Sequence, residues 1–166
     1  YLGIFETSSP SYIFMAGMDE CIRLITEKGD ILFKNYRQLL DDFYNKTADL
    51  KNIHVMTKAD LKKEEAFDWD ESKLVIFSGV AELTGEMLHG LLLQKYHLQM
   101  EMVSGDYVLG MTSLMDDKEG LKRLSDALHE IDAALNEGNR TIKKTDFIEK
   151  MYQENPREMQ IYQAEE

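Results

Sequence analysis

From Ile13 to Tyr44 apolar side chains recur at three- and four-residue steps, the spacing of one helix face, and only Gly29 interrupts them. Ile13, Phe14, Met15, Met18, Cys21, Ile22 and Ile25 form the first half of the series. Ile31, Leu32, Tyr36, Leu39, Leu40, Phe43 and Tyr44 form the second. Glycine is favoured just past a helix end. The spacing therefore predicts one helix over residues 10–28 that stops at Gly29, and a second that Asp30 opens. Asp41 and Asp42 lie on its solvated side.

The turn ahead of this series is rich in hydroxyls: Thr7, Ser8 and Ser9, then Pro10. Proline suits a first helical turn, where its missing N–H has no partner to lose. Ser9 is then placed as N-cap. Thr7 and Ser8 stand just outside the positive end of the helix, so hydroxyls and unpaired N–H groups together make a candidate phosphate site. The plainer reading of the same residues is a capped helix that binds nothing.

Past residue 50 the period changes. Residues 53–57 alternate like a half-buried strand, and Leu74-Val75-Ile76-Phe77 is a β-branched and aromatic run ending at Ser78-Gly79. Thr84 can cap a helix carrying Met87, Leu88, Leu91, Leu92 and Tyr96. Residues 98–103 and 107–113 read as strands joined at Ser104-Gly105-Asp106. Asp116-Asp117 opens a last helix with Leu121, Leu124, Leu128, Ile131 and Leu135, closed by Gly138. Two helices against one face of a mainly antiparallel sheet bury this set, an α+β arrangement. Strand alternation sets Leu98, Met100 and Met102 on one face and Gln99, Glu101 and Val103 on the other. Glu101 then reads either as the wet face of the sheet or as a carboxylate aimed at a ligand.

Composition excludes several classes. The charge of −12, from 31 acidic against 19 basic residues, sets the chain against nucleic acid and against anionic membrane surfaces. The single Cys21 excludes an internal disulfide and reads as a small core hydrophobe, and the ten methionines read as core filler. No apolar run approaches the roughly 20 residues of a membrane helix. His54, His89, His97 and His129 have no metal-binding spacing, and no Ser-His-Asp order, glycine-rich phosphate loop or Cys/His cluster occurs.

Residues 5–19, FETSSPSYIFMAGMD, resemble a segment of the bacterial ornithine/lysine/arginine decarboxylases, pyridoxal-phosphate enzymes of the aspartate-aminotransferase fold. Leu83-Thr84-Gly85-Glu86-Met87, Gln99-Met100-Glu101-Met102 and Asp106-Tyr107-Val108-Leu109 resemble later blocks of that family in the same order, through to Ala127-Leu128-His129-Glu130-Ile131-Asp132. The resemblance implies three parts. Residues 1–50 correspond to the helical end of the cofactor-binding large domain with its connecting helix, 51–138 to the small α+β domain, and 139–166 to the start of a truncated C-terminal segment. It also implies that a hydroxyl of Thr7 or Ser8 reaches the pyridoxal 5'-phosphate of a partner subunit, and that Glu101 pairs with the distal cation of a basic amino acid. Asp106 and Tyr107 are then structural.

In that family a lysine in a Ser-x-His-Lys motif holds the cofactor aldehyde, and no such motif occurs here. The resemblance thus implies a fragment without a catalytic residue, inactive and cofactor-free alone. Its parent would be a cytoplasmic, homo-oligomeric decarboxylase of lysine, ornithine or arginine in polyamine metabolism. Two alternatives stand beside it: a non-catalytic oligomerisation or anion-binding module, and a fold-related transaminase. The latter would clamp its substrate carboxylate with an arginine, for which Arg123 and Arg140 are poorly placed.

Overall fold

The computed structural model describes residues 9–61, 68–78 and 83–135. Thr7, Ser8, Gly138, Arg140 and the tail 139–166 lie outside them. Helix α1 (Tyr12–Thr47) has 36 residues and, at about 1.5 Å per residue, is about 54 Å long. It replaces the two helices expected from Gly29. The only positive-φ glycine among the described residues is Gly105, so Gly29 continues the helix and does not end it. A helical glycine costs about 1 kcal/mol relative to alanine, too little to break a series whose apolar stripe runs unbroken on both sides. The start also differs. Ser11, not Ser9, is the N-cap; it makes no side-chain cap bond, but its carbonyl accepts from Met15 N at 3.0 Å. Pro10 precedes the helix and is not part of its first turn.

The remaining elements are β1 (Ile53–Val55), a 3-10 turn (Lys58–Asp60), β2 (Lys73–Ser78), α2 (Gly85–Tyr96), β3 (Met102–Ser104), β4 (Tyr107–Met111) and α3 (Lys118–Ala134). The four strands form one antiparallel sheet in the order β1-β2-β4-β3, so the fold is α+β. Ile76 stands between Val55 and Val108, and Leu74 opposite Gly110. These side chains share one face, against Leu40 and Phe43 of α1, Leu88 and Leu92 of α2, and Leu124, Leu128 and Ile131 of α3. Phe77, Tyr107 and Met56 pack on the opposite face with Trp69 and Val75.

One polar lock ties two elements together, and two caps fix helix starts. The buried Asp132 carboxylate of α3 accepts from the backbone N–H groups of Lys51, Asn52 and Ile53 at 3.1, 2.6 and 2.7 Å, fixing the entry to β1. Thr84 caps α2 by accepting from Met87 N, and Asp117 caps α3 by accepting from Gly120 N at 2.7 Å. Gly105, at φ 51°, turns the hairpin between the paired Ser104 and Tyr107. The turn's carbonyls then accept from two other elements: Gly105 O from Gly85 N at 2.8 Å and Asp106 O from Ser78 N at 2.9 Å.

That close approach makes Gly85 sterically obligatory, because an added Cβ would stand 2.6 Å from Tyr107 O and 2.8 Å from Gly105 O. At Gly29 the same atom meets Ile25 at an ordinary 3.5 Å. Urea titration should therefore give opposite signs at the two glycines. Gly85→Ala should destabilise by about 2 kcal/mol or more, and Gly29→Ala should stabilise by about 0.5–1 kcal/mol. A loss at Gly29 would mean that the helix ends there.

Candidate functional site

A cleft of about 560 Å³ lies between α1 and the segment that leads into β2. Helical spacing brings Phe33, Tyr36, Arg37 and Leu40 of α1 to one wall. Asp68, Trp69, Asp70, Glu71 and Ser72 form the other, with Lys58 at the edge. The second wall is tied down at several points. Tyr44 donates to the Glu71 carbonyl at 2.9 Å. The Tyr36 hydroxyl meets Thr112 Oγ1 at 2.5 Å, and that hydroxyl donates to Ser72 O at 2.8 Å. Asp70 accepts from Ser72 N and Oγ at 2.9 and 2.6 Å, which closes the turn and holds its carboxyl below the usual range.

Lys58 and Asp68 pair at 2.8 Å across the edge of the cleft. The pair is exposed, so it lowers the Asp68 pKa and raises that of Lys58 while adding little stability. Trp69 Nε1 is buried without a hydrogen-bond partner. Burial pushes the Tyr44 phenol up to about 12; the nearby indole N–H, short of hydrogen-bond geometry, opposes this only in part. The cleft thus combines aromatic walls with charges of both signs, a lining suited to a small ligand that carries both a cation and an anion.

Glu101 is not part of this cleft. It is exposed, and it precedes β3 where strand alternation is broken. Its N–H donates to Leu109 O at 2.8 Å, yet Met102 is the Cα partner of Leu109, so two successive residues oppose one. This bulge changes the face on which the following side chains fall. Met100 is 5% exposed and Met102 44%, so the two expected to share a buried face do not. The bulge leaves Glu101 accessible.

Other expectations change as well. Cys21 is exposed, because nothing among the described residues covers that half of α1. Met15, Met18, Met87, Met102, Met111 and Met115 are exposed, and only some methionines, such as Met56 and Met100, fill the core. Arg123 donates to the Tyr96 carbonyl at 2.9 Å and so closes the end of α2. Next to it His97 takes the left-handed conformation, φ 55°, as the C-cap of α2. Among the described residues no three His, Cys, Asp or Glu side chains cluster as metal ligands, and no helix is long and apolar enough to cross a membrane. The cleft escaped the sequence reading because its two walls are some thirty residues apart; the acid–aromatic run Asp68-Trp69-Asp70 was its only local signal.

The chain is similar to three arginine decarboxylases. It is 22% identical to that of Bacillus anthracis over 132 residues, 80% of this chain and 27% of that protein. It is 22% identical to that of Bacillus subtilis over 147 residues, 89% of this chain and 30% of that protein. The Bacillus cereus protein is 21% identical over 132 residues, 80% of this chain and 29% of that protein. The chain thus spans less than a third of the length of these relatives. No protein-family profile matches it, and no solved structure does.

The cleft's fastening by Tyr44 has a measurable consequence. A phenol held protonated up to about pH 12 stabilises the fold fully below its ordinary value of 10. That contribution is lost as pH rises from about 10 through 12. Ultraviolet titration should show one tyrosine ionising about two pH units late, and Tyr44→Phe should remove that step. A wild-type titration without it would mean that the Tyr44 phenol is not buried against this segment.

Proposed function

We propose that this chain is part of a pyridoxal-phosphate-dependent decarboxylase of a basic amino acid, contributing a substrate-covering α+β domain and an anion-binding turn. The supporting observation is the similarity to the Bacillus arginine decarboxylases, which runs over 80 to 89% of the chain but under a third of those proteins. In this reading residues 1–50 lead out of the cofactor-binding domain, 51–138 cover the substrate, and 139–166 begin a further segment. Thr7 or Ser8 contacts the cofactor phosphate of a sister subunit, so the working form is a homo-oligomer in the cytoplasm. The cofactor, when bound, supplies the electron sink for decarboxylation.

Three surface lysines are poorly suited to anchor an aldehyde. An amine must lose its proton to condense with an aldehyde. Lys58, Lys95 and Lys122 are instead held protonated, each with a raised pKa from hydrogen bonds to the carboxylates of Asp68, Glu130 and Asp126. The Ser-x-His-Lys motif does not occur in this chain, so in this reading the anchoring lysine belongs to another part of the parent enzyme, and no chemical step is routed through this chain alone.

Glu101 carries the substrate assignment. An exposed carboxylate at a bulge is accessible to a cation, and charge-assisted hydrogen bonds are the strong kind. In the holoenzyme, Glu101→Gln should raise KM for the basic amino acid by roughly 10- to 100-fold, the loss of about 1.5–3 kcal/mol. Cofactor absorbance should not change. An unchanged KM would remove Glu101 from the site, and carbon dioxide release by the isolated chain would contradict the missing anchor.

A further inference from the structure

Half of α1 has an apolar face that no other described residue covers. Tyr36, Leu40, Phe43 and Thr47 follow one another along a single stripe and pack into the domain. The same stripe continues toward the N-terminus through Phe33, Gly29, Ile25, Ile22, Met18 and Phe14. There Phe14 is 76% exposed, Met18 59%, Ile22 66% and Phe33 52%. The opposite side of this half is charged and self-satisfied: Arg23 pairs with Glu20 at 2.5 Å and with Glu27 at 2.6 Å. Among the described residues, such an amphipathic helix lacks a partner on its apolar face.

We propose that this stripe pairs with itself, α1 of one copy lying antiparallel on α1 of a second about a two-fold axis near residues 22–25. The steps along the stripe from Phe14 to Phe33 are four, four, three, four and four residues, a spacing that reads the same in both directions. Reversing the helix therefore sets Phe14 against the partner's Phe33, Met18 against the partner's Gly29 and Ile22 against the partner's Ile25. This is the self-complementarity that a two-fold interface requires. Steps of three and four are also those by which side-chain rows of two helices interdigitate. If each of the five side chains on this stripe buries roughly 100 Å² per copy, the pair covers roughly 1,000 Å², about the least that a specific interface requires. The register carries Ser11, the N-cap, to the partner's Tyr36, beside the mouth of the cleft that Phe33, Tyr36 and Arg37 line. Each cleft is then completed by the helix start of the other copy.

The pairing specifies the sister subunit of the reading above, but its test does not depend on decarboxylase chemistry. Light scattering on the purified full chain should give twice the 19.3 kDa chain mass. Ile22→Glu should bring the mass to that of a monomer with the helical circular dichroism kept. Met18→Glu serves as a second stripe variant. Ile13 and Ile31 are equally apolar and are 82% and 65% exposed, but they face away from the stripe, so Ile31→Glu should leave the dimer intact. A wild-type monomer, including one that binds only a different polypeptide, would overturn the proposal. Equal behaviour of Ile22→Glu and Ile31→Glu would overturn it as well.

Discussion

The apolar stripe of α1 is the constraint on which the rest depends. Its C-terminal half supplies Leu40 and Phe43 to the core beside Leu74, Ile76 and Val108, so the sheet is built against this helix. Its N-terminal half extends the same surface outward with nothing among the described residues on it. Apolar area removed from water is worth roughly 25 cal/mol per Å². The exposed side chains therefore represent a driving force for association as real as that which folded the other half.

The second organising feature is the hairpin turn at Gly105 and Asp106. Its two carbonyls accept from Ser78 at the end of β2 and from Gly85 at the start of α2. Three elements distant in sequence therefore meet at one backbone junction, and Gly85 is there because nothing larger fits. The base of the same hairpin carries the bulge that turns Glu101 outward. Rigidity at the tip and irregularity at the base together present a carboxylate on an otherwise regular sheet.

Much of this was legible in the chain. The caps at Thr84 and Asp117 follow from short polar side chains ahead of apolar series, and the α+β class from the change of period after residue 50. Gly29 misled because glycine marks a helix end only when its φ is positive, and composition does not encode φ. The face of Met102 misled because a bulge inserts a residue without any local signal. Exposure of Cys21, Met15 and Met18 could not be foreseen, since it depends on which half of α1 the domain covers. The cleft required two segments to be brought together, and periodicity along one segment cannot report that.

In the proposed dimer the N-terminal half of α1 is a folded helix whose apolar stripe a second copy covers. Amide hydrogen exchange over residues 18–33, followed across a dilution series, measures this most directly. Protection that falls on dilution, while protection over residues 36–47 stays constant, is the predicted result. Exchange over residues 18–33 that is independent of protein concentration would contradict it.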